Sequence, residues 1–195
     1  MRIRTSIQPI PYRVAGPGFV TRRARKNARR CPRLGSMLEV RRASAGEAPI
    51  LLDLIRALAD YEKLDPPTPE AQARLVRDIF GDKPRLDAFL AFVDGQPAGY
   101  ALVLETYSSF LALPTLYLED IFVRTEFRGK GAGAALFREM VAEADRRGCG
   151  RMEWVVLDWN RLAQEFYAKF GARHLNDWMT MRLVQDDFAG ILKTD

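Results

Sequence analysis

The sequence predicts a mixed α/β (α+β) fold, a sheet of mixed strand direction with helices packed against it. Three observations predict it. Helical and strand periodicities alternate along residues 38–184 instead of segregating into blocks. Two apolar runs flank Asp94-Gly95, a strong hairpin signal, so part of the sheet is antiparallel. A late strand–helix–strand succession adds a crossover.

Each element has a local reason. "LEVRRAS" alternates and gives a first strand over 38–43. Ser44 caps a helix over about 46–63, with Ile50, Leu51, Leu54, Ile55 and Leu58 at helical spacing. Pro66-Pro67 breaks the chain. A second helix starts with Thr68 as cap and Pro69 at the first helical position, and stops near Gly81. The hairpin strands lie on either side of Asp94-Gly95. A fourth strand, "TLYLEDIFV", runs to Val123, and a helix then runs to about Arg147. Its apolar face is Leu136, Phe137, Met140, Val141 and Ala144, with Arg138, Glu139 and Glu143 toward water. "RMEWVVLD" reads as a fifth strand, "RLAQEFYAKFGA" as an amphipathic helix and "DWMTMRLV" as a last strand. The expected order is β-α-α-β-β-β-α-β-α-β.

A chain of 195 residues is long enough for one domain with a substantial core. No apolar run approaches the roughly 18 residues of a membrane span. Two cysteines without a CxxC pair, and one histidine, argue against a disulfide framework, a zinc site or a histidine triad, and fit a cytoplasmic protein without a metal. The net charge of +5 is unevenly distributed. Residues 1–36 hold ten of the 30 basic residues and no acid, leaving 20 basic against 25 acidic residues in 37–195. The basic character therefore belongs to an N-terminal extension and is no argument for nucleic-acid or membrane binding by the domain. That extension reads as a disordered segment or as sequence upstream of a start at Met37, ahead of an organelle presequence or a basic binding arm.

The most informative stretch is Arg128-Gly129-Lys130-Gly131-Ala132-Gly133-Ala134, which opens the helix after the fourth strand. Glycines let a ligand approach the backbone, and a helix start offers unpaired N–H groups and a positive dipole end. With two cations added, this is a phosphate site. A Walker A loop is excluded, because Gly131 and not Ser or Thr follows Lys130. A dinucleotide fingerprint is matched formally by Gly129, Gly131 and Ala134, but five residues separate it from its strand. The remaining reading is R-x-x-G-x-G/A on Arg128, Gly131 and Gly133, holding a pyrophosphate.

That loop, together with "YLEDIFV", "VVLDWN" and "FYAKFGA" in this order, resembles the GCN5-related N-acetyltransferases (GNAT superfamily), and most closely their spermidine/spermine (diamine) and thialysine branch. The resemblance covers about 38–184. It implies a mostly antiparallel central sheet flanked by helices, acetyl-CoA as cosubstrate, a homodimer, and direct transfer to a small-molecule amine. It places the pantetheine arm along the backbone of Phe122 and Val123 beside Arg124, the pyrophosphate on Arg128 to Ala134, and a further cofactor contact at Asn160. It makes Tyr167 the acid that protonates the departing thiolate. Glu119 becomes the acidic residue beside the acceptor amine, with Asp120 next to it. Strict alternation would let only one of that pair face the site, and Glu119 is the one expected. Chemistry agrees with such a set: an alkylammonium must lose a proton before it attacks a thioester, and a thiolate leaves more readily beside a donor. Without the resemblance, Tyr167 reads as core and Asn160 as a helix cap.

On the acceptor side the resemblance points to Tyr61, Glu62, Ser108, Asp120 and Trp178, the last from a neighbouring subunit. Polyamine specialists of this branch carry an acid and a tryptophan where this chain has Ser108 and Phe110, which favours thialysine, ornithine-like or other small diamino acceptors. A protein, peptide or aminoglycoside acceptor, or a non-catalytic acetyl-CoA sensor, is the alternative.

Overall fold

The computed structural model describes residues 37–193. The readings made above of residues 1–36 lie outside the described residues. Five strands form one sheet in the order β1-β2-β3-β4-β5: β1 Leu38–Arg42, β2 Asp87–Val93, β3 Gln96–Ser108, β4 Leu113–Val123 and β5 Arg151–Glu153. Neighbours are antiparallel except β4 and β5, which are parallel. The mixed, mostly antiparallel sheet is therefore as expected. No helix of the described residues is long and apolar enough to cross a membrane.

Local chemistry places most elements. Asp94 and Gly95 both take positive φ, 52° and 76°, which a two-residue hairpin turn requires. Helix α1 (Ala48–Glu62) follows a short 3-10 turn in which Ser44 and Glu47 cap one another. Helix α2 (Pro69–Phe80) starts where Thr68 Oγ1 accepts from Ala71 N–H at 3.3 Å. Helix α3 spans Ala132–Arg146 and α4 spans Arg161–Ala168.

The sheet is covered on both faces. On one, Leu51 and Leu54 of α1 and Ile79 of α2 pack on Leu90, Tyr100, Leu102 and Phe122. On the other, Leu136, Phe137 and Met140 of α3 pack on Phe89, Val103, Leu116 and Leu118. Glu143 is a correction. It is buried, seven residues beyond Leu136 on the core stripe, and takes ion pairs from Arg42 (3.1 Å) and Arg147 (2.5 Å), while Val141 is exposed. The core tolerates this charge because its partners come with it.

Two expected strands are also corrected. The fifth stops at Glu153, so Trp154–Asp158 carry no ladder. Residues 177–184 form no strand. Their side chains are exposed, and β5 offers only three paired residues as an edge. An alternating pattern becomes a strand only where a neighbour supplies hydrogen bonds. Beyond them a further helix, α5 (Gln185–Leu192), begins with Asp186 and Asp187 in its first turn.

Candidate active site

The site grows from two irregularities in β4. The first is a bulge. Asp120 stands opposite Leu102 and Leu118 opposite Val103, so Glu119 is an extra residue in the ladder. Before it, Leu116 and Leu118 face α3; after it, Phe122 faces α1 and α2. The bulge thus reverses the alternation, and Glu119 and Asp120, though adjacent, both line one cavity. This corrects the expectation that only one of the pair would face the site. The cavity, about 460 Å3, is walled by Ile55, Leu75, Leu86, Leu102 and Leu104, with Asp78 and Arg85 completing its lining.

Asp120 is the more constrained of the two carboxylates. Tyr100, with 0% exposure, donates its hydroxyl to Asp120 Oδ2 at 3.1 Å. Burial pushes the Asp120 carboxyl up to about 6, and the nearby charges of Glu119 and Glu62 add to this against the Tyr100 hydrogen bond. Burial raises Glu62 as well. Glu119 is exposed.

The second irregularity is a divergence. β4 pairs with β5 only over Thr115–Tyr117, so its outer edge from Leu118 to Val123 has no strand beside it. The backbone there is open to an extended ligand. Val123 O accepts from Arg128 Nε at 3.0 Å, and the Arg128 guanidinium lies over the Tyr61 ring at 4.5 Å. Arg124 pairs with Asp53 at 2.5 Å. Gly99, which sequence reasoning passed over, sits directly behind: a Cβ there would lie 2.3 Å from Phe122 O. A glycine inside a strand pattern was its only local signal.

The loop then turns into α3. Gly131 is the cap residue at φ 90°, a conformation that suits glycine. The first helical bond runs from Ala135 N–H to Gly131 O (3.0 Å), so the N–H groups of Ala132, Gly133 and Ala134 precede the ladder. Gly129 has open space where a Cβ would be, and Lys130 Nζ lies 5.1 Å from the Phe127 ring. Arg128 to Ala134 therefore form a bare, positively polarised cradle that fits a pyrophosphate.

Tyr167 of α4 is nearly buried against Trp154 (ring centroids 4.9 Å), Phe166 and Phe137. Among the described residues its hydroxyl has no hydrogen-bond partner, and it is not one of the sealed oxygens. Burial first, then the charge of Asp120, pushes it up to about 12. It therefore holds its proton across the working pH range. Asn160 caps α4, its Oδ1 accepting from Ala163 N–H at 3.1 Å, with its amide nitrogen still available. Tyr61 packs at a 49° tilt against both Phe122 and Trp159, with ring centroids 6.3 Å apart in each pair.

Two expected acceptor residues are not in this group. Ser108 lies at the far end of β3, opposite Leu113, and its Oγ accepts from Leu111 N–H in the β3–β4 turn (3.3 Å). At ~3.3 Å per residue it is roughly 20 Å along the strand from Leu102. Trp178 is exposed, in the unpaired segment after α4.

A family model described as the acetyltransferase (GNAT) family matches residues 52–172. The chain belongs to that family. As a GNAT acetyltransferase it is an acyl-transferring enzyme. It is similar to the thialysine N-epsilon-acetyltransferase of Bos taurus, 34% identical over 146 residues that cover 71% of this chain and 85% of that one. It is 42% identical to an L-ornithine N5-acetyltransferase of Arabidopsis thaliana over 96 residues, 49% of this chain and 42% of that one. The acetyltransferase's fold matches that of a solved aminoglycoside N-acetyltransferase in complex with CoA, with a TM-score of 0.65 at 21% identity, covering 78% of this chain and 98% of the other.

Proposed function

We propose that this acetyltransferase moves the acetyl group of acetyl-CoA directly to the primary amine of a small diamino compound or polyamine, thialysine- or ornithine-like. The observation that carries it is the bulge, which turns Glu119 and Asp120 together into a cavity walled largely by leucine and isoleucine. Two carboxylates suit a cationic amine, and leucine walls suit its methylenes. Acetyl-CoA supplies the activated thioester. Arg128 to Ala134 would hold its pyrophosphate, and the open edge at Phe122 and Val123 its pantetheine arm. Asp120 accepts a proton from the ammonium, freeing the nitrogen lone pair to form the new C–N bond. Tyr167 gives its proton to the sulfur as the C–S bond breaks. The nitrogen then sheds a second proton, which restores Tyr167, and Asp120 releases its own to solvent, so the products are an amide, the CoA thiol and one proton. Glu119, more exposed, holds the amine's approach. We further propose a homodimer, supported by the exposed apolar run that includes Trp178, Met179, Met181 and Leu183; sedentary monomers in analytical ultracentrifugation at micromolar concentration would refute it.

The test is CoA thiol release across amines that vary in length and charge. Turnover of diamines is expected. Tight acetyl-CoA binding with silence on every small amine would transfer the case to a protein or peptide acceptor, or to a sensor. The cofactor assignment has its own check. Gly131→Asp is expected to weaken acetyl-CoA binding at least tenfold by calorimetry, and Gly131→Asn only a few-fold. A Cβ at Gly131 meets nothing closer than Leu38 Cδ2 at 3.8 Å, so the difference between the two variants isolates charge repulsion. Equal affinities would refute the pyrophosphate loop.

A further inference from the structure

Asp120 has one hydrogen-bond donor among the described residues, and that donor is a fully buried tyrosine. Tyr100 stands on β3 between Leu90 of β2 and Phe122 of β4, two residues from Leu102, which is the partner of Asp120. Its ring packs with Leu51, Leu54 and Leu90 and tilts against Phe122, with centroids 6.3 Å apart. Its hydroxyl donates to Asp120 Oδ2 at 3.1 Å. Oδ1 carries no hydrogen bond among the described residues, and Asp120 lines the cavity. Packing does not explain the pair. A phenylalanine and a leucine would fill the same space without taking a carboxylate out of water.

We infer that Tyr100 is a positioning residue, whose hydroxyl holds Asp120 by Oδ2 so that Oδ1 is the atom that takes the proton of the acceptor ammonium. This rests on the amine-acetylating reading above and deepens it. In the step, an ammonium N–H bond breaks, an Oδ1–H bond forms, and the pair of electrons stays on nitrogen. Tyr100 keeps its own proton, because burial first, and then the charge of Asp120, raises the phenol well above its usual value. A donor to a carboxylate favours the ionised form. The other groups around Asp120 do not supply this help. Glu119 on the same strand and Glu62 at the end of α1 both raise its carboxyl. Asp78 and Arg85 line the same cavity at the passage from α2 to β2, and Tyr167 of α4 is itself raised by the Asp120 charge. The Tyr100 hydroxyl is thus the one neighbour that lowers a carboxyl which burial has raised to about 6.

Tyr100→Phe removes that hydroxyl and keeps the ring. In the full chain, carboxyl carbon NMR gives the Asp120 titration directly, its resonance being the one lost in Asp120→Asn. The midpoint is expected to rise by about one pH unit in Tyr100→Phe, the scale of losing a hydrogen bond to a charged group. The acid limb of kcat/KM for ornithine or putrescine should move with it, while the plateau above pH 8 falls less than tenfold. In an Asp120→Asn background the same change should alter kcat/KM less than twofold, because no carboxylate is left to hold. A hydroxyl that only supports the fold would lower both backgrounds alike and move no midpoint, which overturns the inference while the amine reading stands. A midpoint that moves without the acid limb also overturns it, since the base then lies elsewhere. A moved midpoint in an enzyme silent on both compounds upholds the hold of Tyr100 on Asp120 and overturns the small-amine reading instead.

Discussion

Replacing Tyr167 with phenylalanine is expected to lower kcat about 100-fold, the usual scale for losing a positioned general acid, with acetyl-CoA affinity changed less than twofold. The argument is one of environment. The ring is fixed by Trp154, Phe166 and Phe137, and phenylalanine keeps those contacts. The hydroxyl alone is removed, and no described residue depends on it for a hydrogen bond. Melting temperature should therefore stay the same or rise slightly. Burial and Asp120 hold the phenol near 12, so the lost group is a proton donor and not a base. Thiol-release kinetics with saturating amine would check this. Unchanged turnover would remove Tyr167 from the chemistry, and a loss confined to KM would make it a binding residue.

What was legible in the sequence is what local chemistry decides. Asp94-Gly95 dictates its own turn, Thr68-Pro69 its own helix start, and the glycines from 129 to 133 their own cradle. What failed depended on distant neighbours. "RMEWVVLD" and "DWMTMRLV" have strand patterns, yet a strand exists only where an edge accepts it, and β5 supplies three residues. Glu143 was given to water because glutamate usually is, although its position seven residues beyond Leu136 put it on the core stripe. Arg42, from the first strand, joins Arg146 and Arg147 at the helix's own C-terminal end in making that burial tolerable. The site divides in the same way. The loop, Asn160 as a cap and the helical setting of Tyr167 are local. The joint facing of Glu119 and Asp120 is not, because it follows from a register slip against Leu102 and Val103. Tyr100, Gly99 and Arg85 carry no motif, and only the packed sheet gives each a partner or a wall.

Asp120→Asn should lose about 100-fold or more in kcat/KM at pH 7.5, and gain stability at the same pH. Both effects have one cause. In the folded chain the carboxyl is raised from 3.8 to about 6, so its ionised form is disfavoured by burial and by Glu119 and Glu62, against the Tyr100 hydrogen bond. The neutral form is favoured in the fold below the unfolded value near 3.8, and that advantage is lost as pH rises through 6. Asparagine stays neutral, so above pH 6 it should stabilise by about 1–3 kcal/mol and below pH 4 by little. Activity runs the other way. A base must be deprotonated, so the wild-type kcat/KM should fall tenfold per pH unit below about 6; Glu119 and Asp78 are the other carboxylates lining the cavity. Glu119→Gln should keep that acid limb and lose mainly amine affinity. If Asp120→Asn retained the limb and Glu119→Gln abolished it, the base would be Glu119, and the raised carboxyl of Asp120 would be only a cost of building the bulge. If Asp120→Asn is slower and more stable together, the strain at this carboxylate is the price of a base that is ionised at neutral pH yet still basic enough to take a proton from an ammonium.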